Sequence, residues 1–333
     1  MLSDDVIKSA IPSAFKEIDL SALGSHYSGK VREIYDLGDK LALVATDRVS
    51  AFDVILPRAI PFKGRTLSET ARFWFDKTKH IIPNQVISYP HPNVAIVKKA
   101  KVWPIEVVVR SYVTGHLWRE YSKGKRELCD IKLPDGLKEN QKLPEPIITP
   151  TTKSEHDEDI SRAEIIKQGI VPEDVWKKIE ETATKLFALG QEYAAKQDLI
   201  LVDTKYEFAD YNGELILIDE IHTSDSSRYW VASEYEALFQ KGEKQRGLDK
   251  EYLRQWLREQ GFTGRHDDAA IDGVAKKDTI NIPDEVIVTA AKRYIEAFER
   301  VTGQEFKVTK INKPLPDKIR DDLVKEGLLC WYQ

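Results

Sequence analysis

Leu199-Ile200-Leu201-Val202-Asp203-Thr204-Lys205-Tyr206-Glu207-Phe208 opens as a continuous apolar run and then alternates charged with apolar side chains. In an extended strand alternate side chains share a face, so Asp203, Lys205 and Glu207 line one face while Val202, Tyr206 and Phe208 line the other. The chain returns through Glu214 to Ile221, where Leu215-Ile216-Leu217-Ile218 leads into Asp219-Glu220. Two such runs predict a hairpin central to a core, and charges placed there ask for a reason. A two-residue turn at Asn212-Gly213 would set residue 211 opposite 214 and turn Glu220 toward Lys205. A three-residue loop, Tyr211-Asn212-Gly213 with Gly213 left-handed, would set 210 opposite 214 and turn Asp219 there instead. Both registers are chemically sensible. Two carboxylates and a lysine suit a magnesium–nucleotide site, because magnesium takes hard oxygen ligands and lysine offers a point charge to phosphate. A bare D-x-K-x-E pattern fits a solvent-facing strand with chance salt bridges about as well; the flanking apolar runs favour the site.

Outward from this hairpin the grammar changes twice. Toward the N-terminus, Val31 to Leu37 and Lys40 to Thr46 read as strands around the turn-like Asp36-Leu37-Gly38-Asp39. A helix is expected over Ser68 to His80, with Ser68 as N-cap and Pro83 just beyond its end. Val94 to Lys101 and Ile105 to Tyr112 read as strands, the second containing the β-branched run Val107-Val108-Val109. Residues 122–161, interrupted by Pro134, Pro144, Pro146 and Pro150, are expected to be a long irregular loop, functional or mobile. Toward the C-terminus, helices are expected over Pro172 to Lys196, Asp249 to Gln260 and Asp284 to Thr302, with Thr263 to Asn281 as a polar loop. Strands in runs followed by helices in runs predict an α+β fold rather than a doubly wound sheet.

Composition excludes several classes. The formal net charge of −5 argues against a general nucleic-acid or anionic-membrane binder, since both need a basic face. The two cysteines, Cys129 and Cys330, form no C-x-x-C, and the histidines show no zinc-site spacing, which predicts a reduced, cytoplasmic chain without structural disulfide or zinc. Asp4, Asp5 and Lys8 interrupt the N-terminal apolar residues, so no signal peptide is expected there, and no run is long enough for a membrane span. No sequence feature specifies an oligomeric state.

Other segments could handle phosphate. Tyr27-Ser28-Gly29-Lys30-Val31-Arg32 places a glycine beside two cations at a strand start, although it is neither a Walker A loop nor a kinase glycine loop. Arg110 ends the valine run, where a guanidinium meets either a phosphate or a structural carboxylate. Asp225-Ser226-Ser227-Arg228 forms a phosphate cup or a helix cap. Thr149-Pro150-Thr151-Thr152-Lys153 is a closing loop or a tolerant surface one. His116 and His222 are bases or packing residues.

At these residues the sequence resembles a known family, the SAICAR synthetases (phosphoribosylaminoimidazole-succinocarboxamide synthases). Val102–His116, with Glu106, Arg110 and Gly115-His116, looks like the first family signature, and Leu201–Ala209 like the second. Ser28–Arg32 resembles the family's nucleotide loop, and Thr46–Asp53 and Asp219–Arg228 match it as well. The resemblance runs over residues 25–300, and the loop with Pro144-Glu145-Pro146 resembles the longer branch found in fungi and some bacteria. Two positions depart: His116 stands where the family has serine, replacing a hydroxyl with an imidazole, and Ala209 stands where it has glycine.

The resemblance implies an α+β fold with an ATP-grasp-like or kinase-like nucleotide-binding part and covering helices. It implies a β-rich lobe at 1–112 with the nucleotide-covering loop, a central substrate and Mg-ATP domain at 113–240, and a C-terminal helical part packed on the core at 241–333. It implies ligation of carboxyaminoimidazole ribonucleotide (CAIR) to L-aspartate at the expense of ATP, with magnesium; a small-molecule kinase of related fold is the second reading. Ser28, Gly29, Lys30, Val31, Arg32 and Lys205 would attend ATP. Glu207 and Asp219 would hold magnesium, which favours the three-residue loop, and with Lys205 they would be the catalytic set. Arg110, His116, Asp203, Asp225, Ser226, Ser227, Arg228, Thr151, Thr152 and Lys153 would serve the substrate.

Overall fold

The computed structural model describes residues 2–52, 54–153, 158–248, 250–262, 280–308 and 313–329. The chain divides into two compact units, one formed by Met1–Arg72, Val86–Lys99 and Asp249–Gln333, the other by Phe73–Gln85 and Ala100–Leu248. Antiparallel sheets with helices segregated around them make the fold α+β. Among the described residues no helix is long and apolar enough to cross a membrane.

The first unit carries strands β1 (Ser25–Ser28), β2 (Arg32–Asp36), β3 (Lys40–Ala45), the two-residue β4 (Ser50–Ala51) and β5 (Val54–Ile55), β6 (Val86–His91) and β7 (Val94–Lys98). Its main sheet runs β1-β2-β3-β7-β6. Tyr35, Ala42, Val44, Val94 and Ile96 point into one core with Ile319 and Leu323 from the helix Leu315–Lys325. The helix Asp284–Thr302 matches expectation and buries Ile287, Ala291, Ile295 and Phe298 in a second core with Val49, Ile60 and Leu67. The helix expected from Asp249 spans Glu251–Glu259; Asp249 and residues 263–279 of the expected polar loop lie outside the described residues, as do Asp53 and Cys330.

The helix expected from Ser68 instead begins at Lys63 and runs to Thr78. Its true cap comes from a distant residue: the buried carboxylate of Asp47 accepts from the Gly64 N–H at 2.9 Å and from the Phe15 N–H at 2.9 Å. Gly64 fits because a Cβ there would lie 2.6 Å from the Ala45 carbonyl oxygen. Burial pushes the Asp47 carboxyl up to about 6, against the pull of those two N–H groups. The folded value thus lies above the unfolded one, so this group's stability contribution is full below the ordinary carboxylate range and is lost as pH rises through about 6. Between about pH 4 and pH 7 the unmodified chain should lose about 2 kcal/mol more unfolding free energy than Asp47→Asn, a difference that denaturant titrations at the two pH values would read.

The second unit carries β8 (Lys101–Tyr112), the two-residue β9 (Glu127–Leu128) and β10 (Ile131–Lys132), β11 (Lys142–Thr152), β12 (Leu199–Tyr211), β13 (Glu214–Ile218) and β14 (Ser227–Val231). Its sheet runs β11-β8-β12-β13, and β14 shares the outer side of β12 with β13. β12 is therefore paired along both edges. Behind it packs the helix Glu173–Ala195, which buries Trp176, Ile179, Leu186 and Phe187, while Val175 and Tyr193 stay partly exposed.

The irregular loop expected over 122–161 is corrected: eleven of its residues form β11. Pro144, Pro146 and Pro150 are tolerated because, among the described residues, the one ladder of β11 is with β8, and its other edge carries just the isolated bridge of Thr151 to Asp159. The register shift between Lys142 and Ile147 absorbs Pro144 and Pro146. β8 likewise starts earlier than expected and takes in Pro104 through a bulge opposite β12.

Candidate active site

The hairpin β12–β13 pairs Tyr211 with Glu214, so the connection is the two-residue one, with Asn212 at φ 56° and Gly213 at φ 86°. This corrects the favoured three-residue register; two left-handed residues match the natural strand twist. Asp219 nevertheless reaches Lys205. The ladder ends at Ile218, and Asp219 adopts a left-handed φ of 65° that swings its carboxylate to 3.3 Å from the Lys205 ammonium. Glu220, which a continued ladder would set beside Lys205, turns into the interior and accepts from the Thr223 hydroxyl at 2.7 Å.

Lys205 is the hub of a compact cluster. Its Nζ donates to Glu106 Oε1 at 2.8 Å and to Glu207, while Lys153 pairs with the other Glu207 oxygen. Glu106 and Glu207 are direct cross-strand partners, and Thr151 lies across from Glu106 in turn. Burial works against the lysine charge, but Asp219, Glu207 and Glu106 outweigh it and hold Lys205 well above the ordinary lysine value. Burial, reinforced by Asp219, holds Glu207 above the ordinary glutamate value against the pull of Lys205 and Lys153. Three carboxyl groups thus converge on two ammonium groups, which gathers hard oxygen atoms in one place.

The donor set fits magnesium: all its ligating atoms are hard carboxylate oxygens. Among the described residues no three His, Cys, Asp or Glu side chains form a ready-made metal cage. Magnesium in general takes one or two carboxylates and completes its shell with phosphate and water.

A second cluster stands next along β12. Asp203 pairs across the sheet with Arg110 on one side and Arg228 on the other. Its Oδ2 accepts from Arg110 Nη1 at 3.1 Å and from Arg228 Nη1. Arg110 Nε donates to Thr149 Oγ1 at 2.9 Å. Burial pulls the Arg110 pKa down against the pull of Asp203, while Arg228 remains partly exposed. Gly115, at φ 58°, abuts Arg228, where a Cβ would come within 2.6 Å of the guanidinium. His116 Nε2 donates to the Asp159 carboxylate at 2.9 Å, with Lys125 at 3.6 Å from the same group. Burial would raise the Asp159 pKa, but the His116 hydrogen bond and the charges of His116, Lys125 and Arg110 together outweigh it, and the value lies below the ordinary range.

Other expected residues fall as follows. Thr151 is buried and bridges to Asp159; Thr152 is partly exposed and donates its N–H to Glu158 O at 2.9 Å. Ser227 shares a hydrogen bond with Thr204 across the β12–β14 pair at 2.7 Å, and Ser226 shares one with Thr223 inside its own loop at 3.1 Å. Asp225 is partly exposed beside them. His222 is fully buried against the Tyr206 hydroxyl at 2.5 Å, and burial pulls it down to about 3, which makes it a packing residue. Ser28, Gly29, Lys30, Val31 and Arg32 lie in the first unit, between β1 and β2.

Sequence reasoning gave no role to Glu106 or Asp159. The signal for Glu106 was present: it lies four residues before Arg110 on a strand, hence on the same face. Asp159 had no comparable signal, since its position depends on the bridge to β11.

The profile of the SAICAR synthetase family matches residues 25–268. A phosphoribosylaminoimidazole-succinocarboxamide synthase of Bacteroides thetaiotaomicron is 47% identical over 85% of this chain and 88% of its own. That of Legionella pneumophila strain Paris is 48% identical over 89% and 93%. Among solved structures, the Saccharomyces cerevisiae SAICAR synthase complexed with SAICAR superposes with a TM-score of 0.75 at 34% identity, covering 89% of this chain and 100% of that one. A SAICAR synthetase in complex with ADP gives 0.63 at 28% identity, covering 85% and 100%.

Proposed function

This chain belongs to the SAICAR synthetase family, and on that premise we propose how its own residues serve the family reaction. The protein is a carbon–nitrogen ligase of purine biosynthesis that condenses CAIR with L-aspartate to give SAICAR. ATP is the energy source in our reading, supported by the ADP held by a structural relative. The observation that carries the residue assignment is the Lys205 ammonium held among Glu106, Glu207 and Asp219 on the central strand.

A carboxylate is a poor electrophile at neutral pH. Transfer of the γ-phosphoryl group of ATP to the CAIR carboxylate gives an acyl phosphate and ADP; the aspartate amine then attacks the carbonyl carbon and expels phosphate. Glu207 and Asp219 would hold magnesium, whose charge offsets that of the phosphates. Lys205, kept charged by its three carboxylates, supplies a fixed positive charge where negative charge develops on the phosphoryl oxygens. Ser28, Gly29, Lys30, Val31 and Arg32 attend the nucleotide phosphates. Arg110 and Arg228, aligned by Asp203, bind the imidazole nucleotide with His116, Asp225, Ser226 and Ser227. Thr151, Thr152 and Lys153 approach the substrate from the end of β11, where they exclude water that would hydrolyse the acyl phosphate. No side chain needs to act as nucleophile; position and charge suffice.

In this reading residues 1–112 carry the nucleotide-covering loop, 113–240 most substrate and Mg-ATP groups, and 241–333 the helical support. A cytoplasmic location belongs to the same proposal. The kinase alternative is not favoured, because the relatives are synthases over most of their length.

The acyl phosphate is tested with CAIR labelled by oxygen-18 in its carboxylate. One labelled oxygen should appear in the released phosphate when SAICAR forms. Unlabelled phosphate alongside SAICAR would refute the intermediate.

A further inference from the structure

The motif Thr46–Asp53 contains a residue that the mechanism above leaves unused. Arg48 lies behind the Ser28–Arg32 segment with its side chain 13% exposed. Its guanidinium donates to the carbonyl oxygens of Gly29 at 2.9 Å, Lys30 at 3.3 Å and Arg32 at 3.2 Å, and to Lys16 O at 2.5 Å. It also pairs with Glu33, which is 3% exposed and accepts from Ser28 Oγ at 3.0 Å and His26 Nε2 at 2.6 Å. Three carbonyls of a five-residue loop are thus drawn to one planar cation, an arrangement that a lysine's single nitrogen cannot reproduce.

The directions matter more than the count. The carbonyls of Gly29 and Lys30 point at Arg48, so across planar trans peptides the N–H groups of Lys30 and Val31 point away from it. The Val31 carbonyl is taken by Thr46, from its N–H at 3.1 Å and its hydroxyl at 2.8 Å, which orients the next peptide likewise. Successive N–H groups turned outward form a concave anion-binding surface.

We propose that Arg48 is a positioning residue that holds the peptide planes of the Ser28–Arg32 loop so that the Lys30 and Val31 N–H groups are presented to the nucleotide phosphates, while the Gly29 N–H closes the loop on the Arg32 carbonyl at 2.8 Å. The inference rests on the reading of this segment as the nucleotide loop. Arg48 itself contacts no phosphate; it acts through the loop, with Glu33 anchoring its charge.

Arg48→Lys in the full chain tests it. Loss of the charged hydrogen bonds to the loop should raise the KM for ATP about tenfold to a hundredfold. The kcat and the KM values for CAIR and aspartate should stay within about twofold, because the transition-state groups lie elsewhere. Amide hydrogen exchange at residues 28–33 should quicken, while exchange in the helix Asp284–Thr302 should not. Glu33→Gln, which keeps the guanidinium–carbonyl bonds, should give the same pattern more weakly and serves if the first variant folds poorly. Wild-type loop exchange and wild-type ATP dependence in folded Arg48→Lys would overturn the role of Arg48. Added ADP should slow exchange at residues 28–33 of the unmodified chain; SAICAR formation by a chain whose loop amides ignore ADP would instead overturn the assignment of the loop.

Discussion

Glu207→Gln should abolish turnover while leaving the fold in place. The expected fall in kcat is about a thousandfold, the upper range for loss of one transition-state stabilising group, with the KM for CAIR little changed. The fold should survive because the variant cluster is balanced: Glu106 and Asp219 then face Lys205 and Lys153. In the unmodified, metal-free chain Glu207 is held above the ordinary glutamate value by burial and by Asp219. Such a group takes a proton more readily folded than unfolded. Its stability contribution is therefore full below the ordinary glutamate range and is lost as pH rises through the raised value. Glutamine escapes that loss, so above neutral pH the metal-free variant should unfold at the same temperature as the unmodified chain or higher. Thermal unfolding beside steady-state kinetics separates the two effects. Retained turnover would remove Glu207 from the chemistry, and a collapsed melting transition would make its role structural.

Asp203→Asn should be the most destabilising single change among the proposed site residues. Asp203 is 4% exposed and Arg110 6%, and the lost charge lies between two guanidinium groups. Breaking a buried ion pair by removing one partner costs about 3–5 kcal/mol, a large share of a total stability of about 5–15 kcal/mol. The melting temperature should fall by about 10 °C. Loss of alignment of Arg110 and Arg228 should also raise the KM for CAIR while leaving that for ATP near its original value. A stability loss under about 1 kcal/mol would mean that Asp203 does not hold the two arginines.

Much of the site was legible because strand alternation is a strict rule. Once Leu199–Phe208 is read as a strand, Asp203, Lys205 and Glu207 must share a face, and the structure places all three among ion pairs. The helix Glu173–Ala195 was equally plain from its apolar stripe. What escaped was set by contacts distant in sequence. The start of the Lys63–Thr78 helix depends on a carboxylate 17 residues away from Gly64. β11 was masked by its prolines, whose presence marks an edge position rather than the absence of a strand. The hairpin register is not legible from strand alternation, because the left-handed backbone of Asp219 delivers its carboxylate to Lys205 from the two-residue register.

Asp203 and Lys205 stand two residues apart on β12, the first between two arginines and the second among three carboxylates. Asp203 is paired with both guanidinium groups, and Lys205 keeps its charge because three carboxylates surround it. His116 follows Gly115, which abuts Arg228, and its imidazole is held by Asp159.

The most direct measurement is ADP release by the purified chain with magnesium, ATP, CAIR and L-aspartate, omitting each of the last two in turn and identifying the product by mass. The account predicts sustained ADP release only when both are present, with SAICAR formed in equal amount. Sustained ADP release without aspartate, leaving a stable phosphorylated product, would contradict it.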